Sequence, residues 1–289
     1  MKPQFFKMKK ILLALFLVPC LALAQDDLLE EIDTVTVQND YEIAAFKGLK
    51  IVNFETTKMV PKSRLYFVVS HRFGSIKTGI EDFFGLDQAV TRLNFIYGIT
   101  DGINLGISRS SFEKTYESSL KLRLVRQSEN GAPFNIVSFN TVLLNGALDK
   151  DNLPGLGFEH RLSYAVQALI SRKMSQKLSL EVIPTFFHDN LVSLDEQDNS
   201  QYAIGFGGRY KISNRVSLNA DYGVHLNRAS NSPFKNPLSV GVDIETGGHV
   251  FQLHFTNAQP MNINTFLNQA TGDWDKADIY FGFNLLRIF

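Results

Sequence analysis

The chain closes on KADIYFGFNLLRIF, Lys276 to Phe289, and this stretch decides how the rest is read. Ala277, Ile279, Phe281, Phe283 and Leu285 fall on one face of an extended segment, with Phe289 following Arg287. Asp278, Tyr280, Gly282 and Asn284 fall on the other. Strand side chains point alternately to opposite faces, so the segment has one apolar and one polar face. Terminal residues ordinarily fray, and apolar material concentrated here has to be docked.

The same period of two runs back through the chain. RVSLNADYGVHLN sets Val216, Leu218, Ala220, Tyr222 and Val224 against Ser217, Asn219, Asp221, Gly223 and His225. LSVGVDIET sets Val240, Val242 and Ile244 against Ser239, Gly241 and Asp243. About twelve such segments begin near Leu65, Ala89, Ile103, Ser119, Phe134, Phe158, Lys177, Ser200, Arg215, Leu238, His249 and Ala277. Most are about 9–13 residues, longer than a soluble strand and suited to a tilted bilayer crossing. Short links (100–102, 131–133, 175–176, 213–214, 247–248) alternate with long ones near 74–88, 113–118, 149–157, 189–199, 228–237 and 258–276. That alternation is the mark of a membrane barrel with tight periplasmic turns and longer outer loops. A secreted sandwich would alternate within its strands but has no reason to alternate its loops. The expected fold is therefore all-β, an antiparallel up-and-down transmembrane β-barrel of about twelve strands over 63–289. Its last strand must close on its first, because an open sheet edge in lipid leaves backbone groups unpaired.

The front end agrees. Lys2, Lys7, Lys9 and Lys10 precede an apolar run, Ile11 to Leu21, and then Ala22-Leu23-Ala24. This reads as a secretory signal peptide over 1–24, too short to span a bilayer as a helix. A lipoprotein anchor on Cys20 is disfavoured by Pro19. Removing 24 of 289 residues leaves 265, with no cysteine, hence no disulfide or thiolate chemistry. With four leader lysines gone, 29 basic residues become 25 against 29 acidic, a net charge near −4. Nucleic acid would call for a basic excess. The six histidines include no HExxH or His-x-His pair, so neither a metal nor a cofactor is expected.

Four stretches carry a family resemblance: AFKGLKIVN (45–53), VVSHRFG (68–74), FFGLDQAVTRLNFIYGITDGINLGISRSSFEKTY (83–116) and SRKMSQKLSLEVIPTFFHDN (171–190). They resemble an uncharacterised family of bacterial outer-membrane β-barrel proteins, a domain of unknown function. The resemblance implies the barrel and the outer membrane, and no catalytic residue. The closing strand also resembles the C-terminal signal by which assembly machinery recognises such barrels, with Arg287 where that signal is normally apolar. Expected partners are outer-membrane lipid, that machinery through Phe289, and a periplasmic protein docking on the N-terminal segment.

By parity, Arg72, Arg92, Arg123, Arg209, Asp221, His225, Asp243 and His254 are expected to line the lumen, where mixed charge implies weak ion selectivity. Glu81, Asp82, Phe83 and Phe84 mark the first long loop, which either folds into the mouth or forms a short helix outside the rim. Residues 25–62 form an N-terminal periplasmic segment, read as a cap, a plug or an extra strand pair. Glycines 205, 207 and 208 inside a strand reflect lumen crowding or a bend. The leading function is a channel or transporter for a small polar solute. A non-conducting barrel that docks a periplasmic partner, and a membrane-lipid hydrolase, are the alternatives. The nearest Ser–His pairs, Ser70-His71 and His160/Ser163, have opposite parity and cannot pair without distortion.

Overall fold

The computed structural model describes residues 44–289. The leader and the acidic stretch after it lie outside the described residues. Twelve strands follow in chain order: β1 Leu65–Ser75, β2 Ala89–Thr100, β3 Ile103–Ser110, β4 Tyr116–Val125, β5 Asn135–Leu144, β6 Leu162–Lys173, β7 Leu178–Asp189, β8 Ser200–Lys211, β9 Val216–His225, β10 Leu238–Thr246, β11 His249–Thr256 and β12 Tyr280–Ile288. Each pairs antiparallel with its neighbours, and β12 pairs with β1 to close the barrel. Beyond the β1/β12 register, Leu65 N–H donates to Phe289 O at 3.3 Å and Phe289 N–H to Leu65 O at 2.9 Å. The chain terminus is thus part of the seam.

Period two sets the two faces. On β2, Leu93, Phe95, Tyr97 and Ile99 point outward while Arg92, Asn94 and Ile96 are buried inward. On β12, Gly282, Asn284 and Leu286 turn in. Three starts differ from the pattern reading. β4 begins at Tyr116, before Ser119; a 3-10 turn, Glu159–Arg161, delays β6 to Leu162; another, Trp274–Lys276, delays β12 to Tyr280. Among the described residues no helix is long and apolar enough to cross a membrane; the crossings are strands.

The core lies inside the barrel. Apolar inward residues of β5 to β7 (Val137, Phe139, Leu169, Ile183, Phe187), set among polar ones, meet Phe46, Ile51, Phe54 and Met59 from the chain ahead of β1. The same cluster takes in Ile263, Phe266 and Leu267 from the β11–β12 loop, where α1, Ile263–Asn268, forms. A smaller cluster joins Leu49 and Val60 to Tyr66, Val68, Ile96 and Leu286.

Candidate functional site

Two segments enter the lumen and meet there. The first is a hairpin over 45–60, with Lys50 bridged to Glu55 and its arms tied by Thr56 N–H to Leu49 O at 2.8 Å. Its tip turns through Ile51 N–H to Phe54 O at 2.9 Å. Three successive tip amides, those of Val52, Asn53 and Phe54, all donate to Asp221 Oδ2 on β9, at 3.0, 2.6 and 3.2 Å. A run of backbone N–H groups converging in this way is an anion nest, here occupied by the wall's own carboxylate. The tip carbonyls are held too: Gln252 Nε2 donates to Ile51 O at 2.5 Å and Asn284 Nδ2 to Val52 O at 3.2 Å. The Asn53 side-chain Nδ2 donates to Ser239 Oγ at 2.7 Å. The tip is therefore bonded to β9–β12 through its backbone and the Asn53 side chain, while Ile51 and Phe54 lie against the glycines of β8.

The wall is shaped to this insert. A Cβ on Gly205 would lie 2.6 Å from the Phe54 ring, and one on Gly207 would overlap Ile51. Gly223 stands against Leu267 and Phe54 in the same way. These strand glycines mark close approach by another part of the chain. Glu55 pairs with Lys50 at 3.0 Å and with Lys121 of β4 at 3.3 Å. The Asn104 side chain clamps Val60, accepting from its N–H and donating to its carbonyl, each at 2.8 Å.

The second insert is the β11–β12 loop, entering from the opposite end. Arg72 donates to Ala258 O at 3.3 Å and Pro260 O at 3.0 Å, and its Nε to His254 Nε2 at 3.2 Å. Arg92 reaches Met261 O at 3.3 Å and is ion-paired with Glu117. Glu117 also accepts from Asn262 at 2.6 Å. Asp189 accepts from Asn264 and Asn268 of α1, each at 2.7 Å. Phe266 meets Phe54 edge-to-face, centroids 4.9 Å apart, so the two inserts touch.

Eight residues were expected to line the lumen. Arg72, Arg92, Asp221 and His254 point inward, but as anchors or neighbours of the inserts. Arg209 is ion-paired with Glu245 at 2.5 Å, Asp243 accepts from Gln252 at 2.7 Å, and His225 packs beside Phe187. Arg123 lies at the short-turn end, beside a cavity of about 290 Å³ that it shares with Ala44, Asp101 and Arg126. Two cavities flanking the hairpin measure only about 30 and about 10 Å³, room for a water or two. A further cavity of about 220 Å³ lies at the long-loop end against α1.

Of the two readings of the first long loop, folding into the mouth is corrected and a short exposed helix is what forms. This is a 3-10 helix, Ile76–Asp82, with none of its residues buried. Ile80, Phe83 and Phe84 are 82%, 61% and 51% exposed, and Glu81 is exposed beside them. Asp82 is engaged locally by Thr78 and the Gly85 N–H. The lumen is entered instead by the β11–β12 loop, which the pattern reading treated as an ordinary connection. Of the histidines weighed for hydrolysis, His71 Nδ1 meets Thr91 Oγ1 at 2.8 Å, and His160 Nδ1 accepts from Gly157 N–H at 2.8 Å. A Ser–His contact does occur elsewhere, His188 Nδ1 to Ser200 Oγ at 3.0 Å, with the imidazole stacked on Tyr164. Among the described residues no third group orients that imidazole, as a nucleophile–base pair requires.

A closed antiparallel barrel with an apolar exterior and an interior occupied by its own chain defines a β-barrel membrane protein. The chain belongs to the family described as "Membrane bound beta barrel domain (DUF5777)", whose model matches residues 46–289. That match begins within the hairpin, so the insert belongs to the family's domain. Among solved structures, the NanC porin superposes with a TM-score of 0.50 at 9% identity, covering 78% of this chain and 99% of that one. The KdgM porin gives 0.46 at 7% identity, covering 78% and 99%. Outer membrane phospholipase A from Escherichia coli gives 0.43 at 11%, covering 80% and 91%. At such identities the likeness is one of fold alone. No curated protein matches the chain.

Proposed function

We propose that this protein is an outer-membrane channel for small polar solutes, described here in its closed state, with the hairpin 45–60 as its gate. The observation that carries the reading is the tip: three amides on one carboxylate, Asp221, form a polar and exchangeable attachment to the wall. The wall behind it is polar along β9 to β12, with Ser239, Gln252, Thr256 and Asn284 turned inward. Such a wall is wettable once the hairpin leaves, and each end of the barrel already holds a cavity. In this reading the leader is cleaved after Ala24, the short turns and both ends of the mature chain face the periplasm, and the strand ending at Phe289 is what assembly machinery recognises.

Single-channel recording in a planar bilayer tests the proposal. The wild-type chain is expected to be mostly silent and Asp221→Ala to give discrete openings. Silence from inserted Asp221→Ala, and from a chain lacking residues 45–60, would sink the channel.

A second reading has its own support in the fit of Gly205 and Gly207 to Phe54 and Ile51. A wall so shaped suits a permanently filled, non-conducting barrel that presents its N-terminal segment to a periplasmic partner. The same recordings separate the two.

A further inference from the structure

We propose that the outer wall over β2 to β5 carries a site for one anionic membrane lipid, its phosphate on Arg109 and an acyl chain in the groove beside it. The site is independent of whether the lumen conducts.

The groove comes from one small side chain. On β4 the outward residues nearest the long-loop end are Tyr116 and Ser118. Register sets Ser118 between Ile107 of β3 and Val142 of β5, both well exposed. A serine between two branched side chains leaves a groove of about 590 Å³ on the lipid-facing side, bordered also by Leu93, Phe95 and Leu144. The tyrosines give its depth in the bilayer. Tyr116, Tyr164, Tyr202 and Tyr222 stand exposed on the strands toward the long-loop end. Aromatic residues of a membrane barrel gather in this way where hydrocarbon gives way to headgroups.

Arg109 is the last outward residue of β3 and is paired in register with Tyr116. Its guanidinium lies over the Tyr116 ring, 4.7 Å from the centroid. That contact uses the face of the guanidinium and leaves its in-plane N–H donors open. Among the described residues nothing accepts from those donors and no acid pairs with Arg109. The inward arginines differ: Arg72 donates to backbone carbonyls, and Arg92 and Arg209 are ion-paired with Glu117 and Glu245. A cation on the lipid-facing side is costly at the midplane and tolerated near the headgroups. There its fork matches a phosphate bidentately. Lys114, exposed in the turn after β3, adds positive charge, while Glu113 of the same turn accepts from Asn145 Nδ2 at 2.9 Å. An apolar groove and an unpartnered cation at headgroup depth complement the two halves of one ligand, an anionic lipid.

Quenching of tryptophan by brominated lipid tests the site, because bromine quenches only on contact. The chain holds a single tryptophan, Trp274, so Phe95→Trp in a Trp274→Phe background puts the reporter at the groove. Tyr222→Trp in the same background reports from β9, across the barrel. The full chain is reconstituted in phosphatidylcholine vesicles with a minor fraction of brominated phosphatidylglycerol, and in parallel with brominated phosphatidylcholine. At residue 95 phosphatidylglycerol is expected to be preferred about fivefold over its share of the bilayer, and at residue 222 not at all. Arg109→Gln and Ser118→Leu should each abolish the preference at residue 95, and Arg109→Lys should keep part of it. Quenching by phosphatidylcholine at residue 222 verifies insertion of each variant, and Ser118→Leu decides the matter if Arg109→Gln does not insert. No preference at residue 95, an equal preference at residue 222, or a preference that survives Arg109→Gln overturns the proposal.

Discussion

Two segments flank β1, and both offer paired bulky apolar residues beside acids. The hairpin before β1 carries Ile51, Val52 and Phe54 next to Glu55; the loop after it carries Ile80, Phe83 and Phe84 next to Glu81 and Asp82. The first is wholly buried and the second stands in the open. Apolar content does not separate them; the surroundings do. The hairpin has space cut for it by Gly205, Gly207 and Gly223, a carboxylate aimed at its tip, and lysines that neutralise its glutamate. The loop is tied to itself. Phe84 N–H donates to Gly79 O and Phe83 N–H to Ile80 O. Both phenylalanines sit in left-handed backbone, φ 58° and 51°, a conformation costly for bulky residues. Local bonds hold the rings outward.

This contrast can be broken experimentally, beginning with the largest effect. Phe54→Ala should destabilise docking of the hairpin by about 3–5 kcal/mol, the cost of truncating a buried phenylalanine. Thermal unfolding and amide exchange over 45–60 would both register it, and an unchanged exchange pattern would mean that the ring is not holding the insert. Asp221→Ala leaves three buried donors without an acceptor, at about 1–3 kcal/mol each before relaxation. Amides of Val52, Asn53 and Phe54 should then exchange at least about a hundredfold faster, with barrel strands unchanged. Gly207→Val should expel the tip through overpacking, for about 1–3 kcal/mol. A cysteine at Asn53, protected in the parent, should become reactive to a water-soluble maleimide in that background. Phe83→Ser and Phe84→Ser should change stability by less than about 0.5 kcal/mol, as surface changes do. Phe84→Asn should give a small gain in stability, because asparagine tolerates left-handed backbone. A large loss from either loop variant would erase the distinction.

The strands and the direction of their side chains follow from the period of two, and nine of twelve starts fall within a residue of those expected. The hairpin does not follow from any period. Phe46, Ile51, Val52 and Phe54 have neither helical nor strand spacing, because a short tethered insert is shaped by the wall it meets. The wall did carry a signal. Val137, Phe139, Leu169, Ile183 and Phe187 lie on the inward faces of β5 to β7, where a water-filled lumen would call for polar side chains. Inward glycines on β8 and β9 stand around the ring from them. Apolar inward residues adjoining inward glycines mean that something apolar packs against that side of the wall. Likewise Met261, Ile263, Phe266 and Leu267 in the β11–β12 loop have helix-like spacing and need a partner. The Phe83-Phe84 pair misled because left-handed backbone, which no pattern of residue types announces, decides which way those rings point.

The attachment of the hairpin also fixes an order of events. The first described segment of the chain is held by residues that come far later: Asp221, 168 positions on from Asn53, and Asn284, 232 positions on from Val52. Contacts of such separation are slow to form, because the intervening loop must close first. The binding surface for the tip is therefore incomplete until β9 to β12 are in place, and β12 in turn seals against the strand the hairpin leads into. An assembling barrel has to keep its earliest segment waiting, undocked, until its last strand arrives.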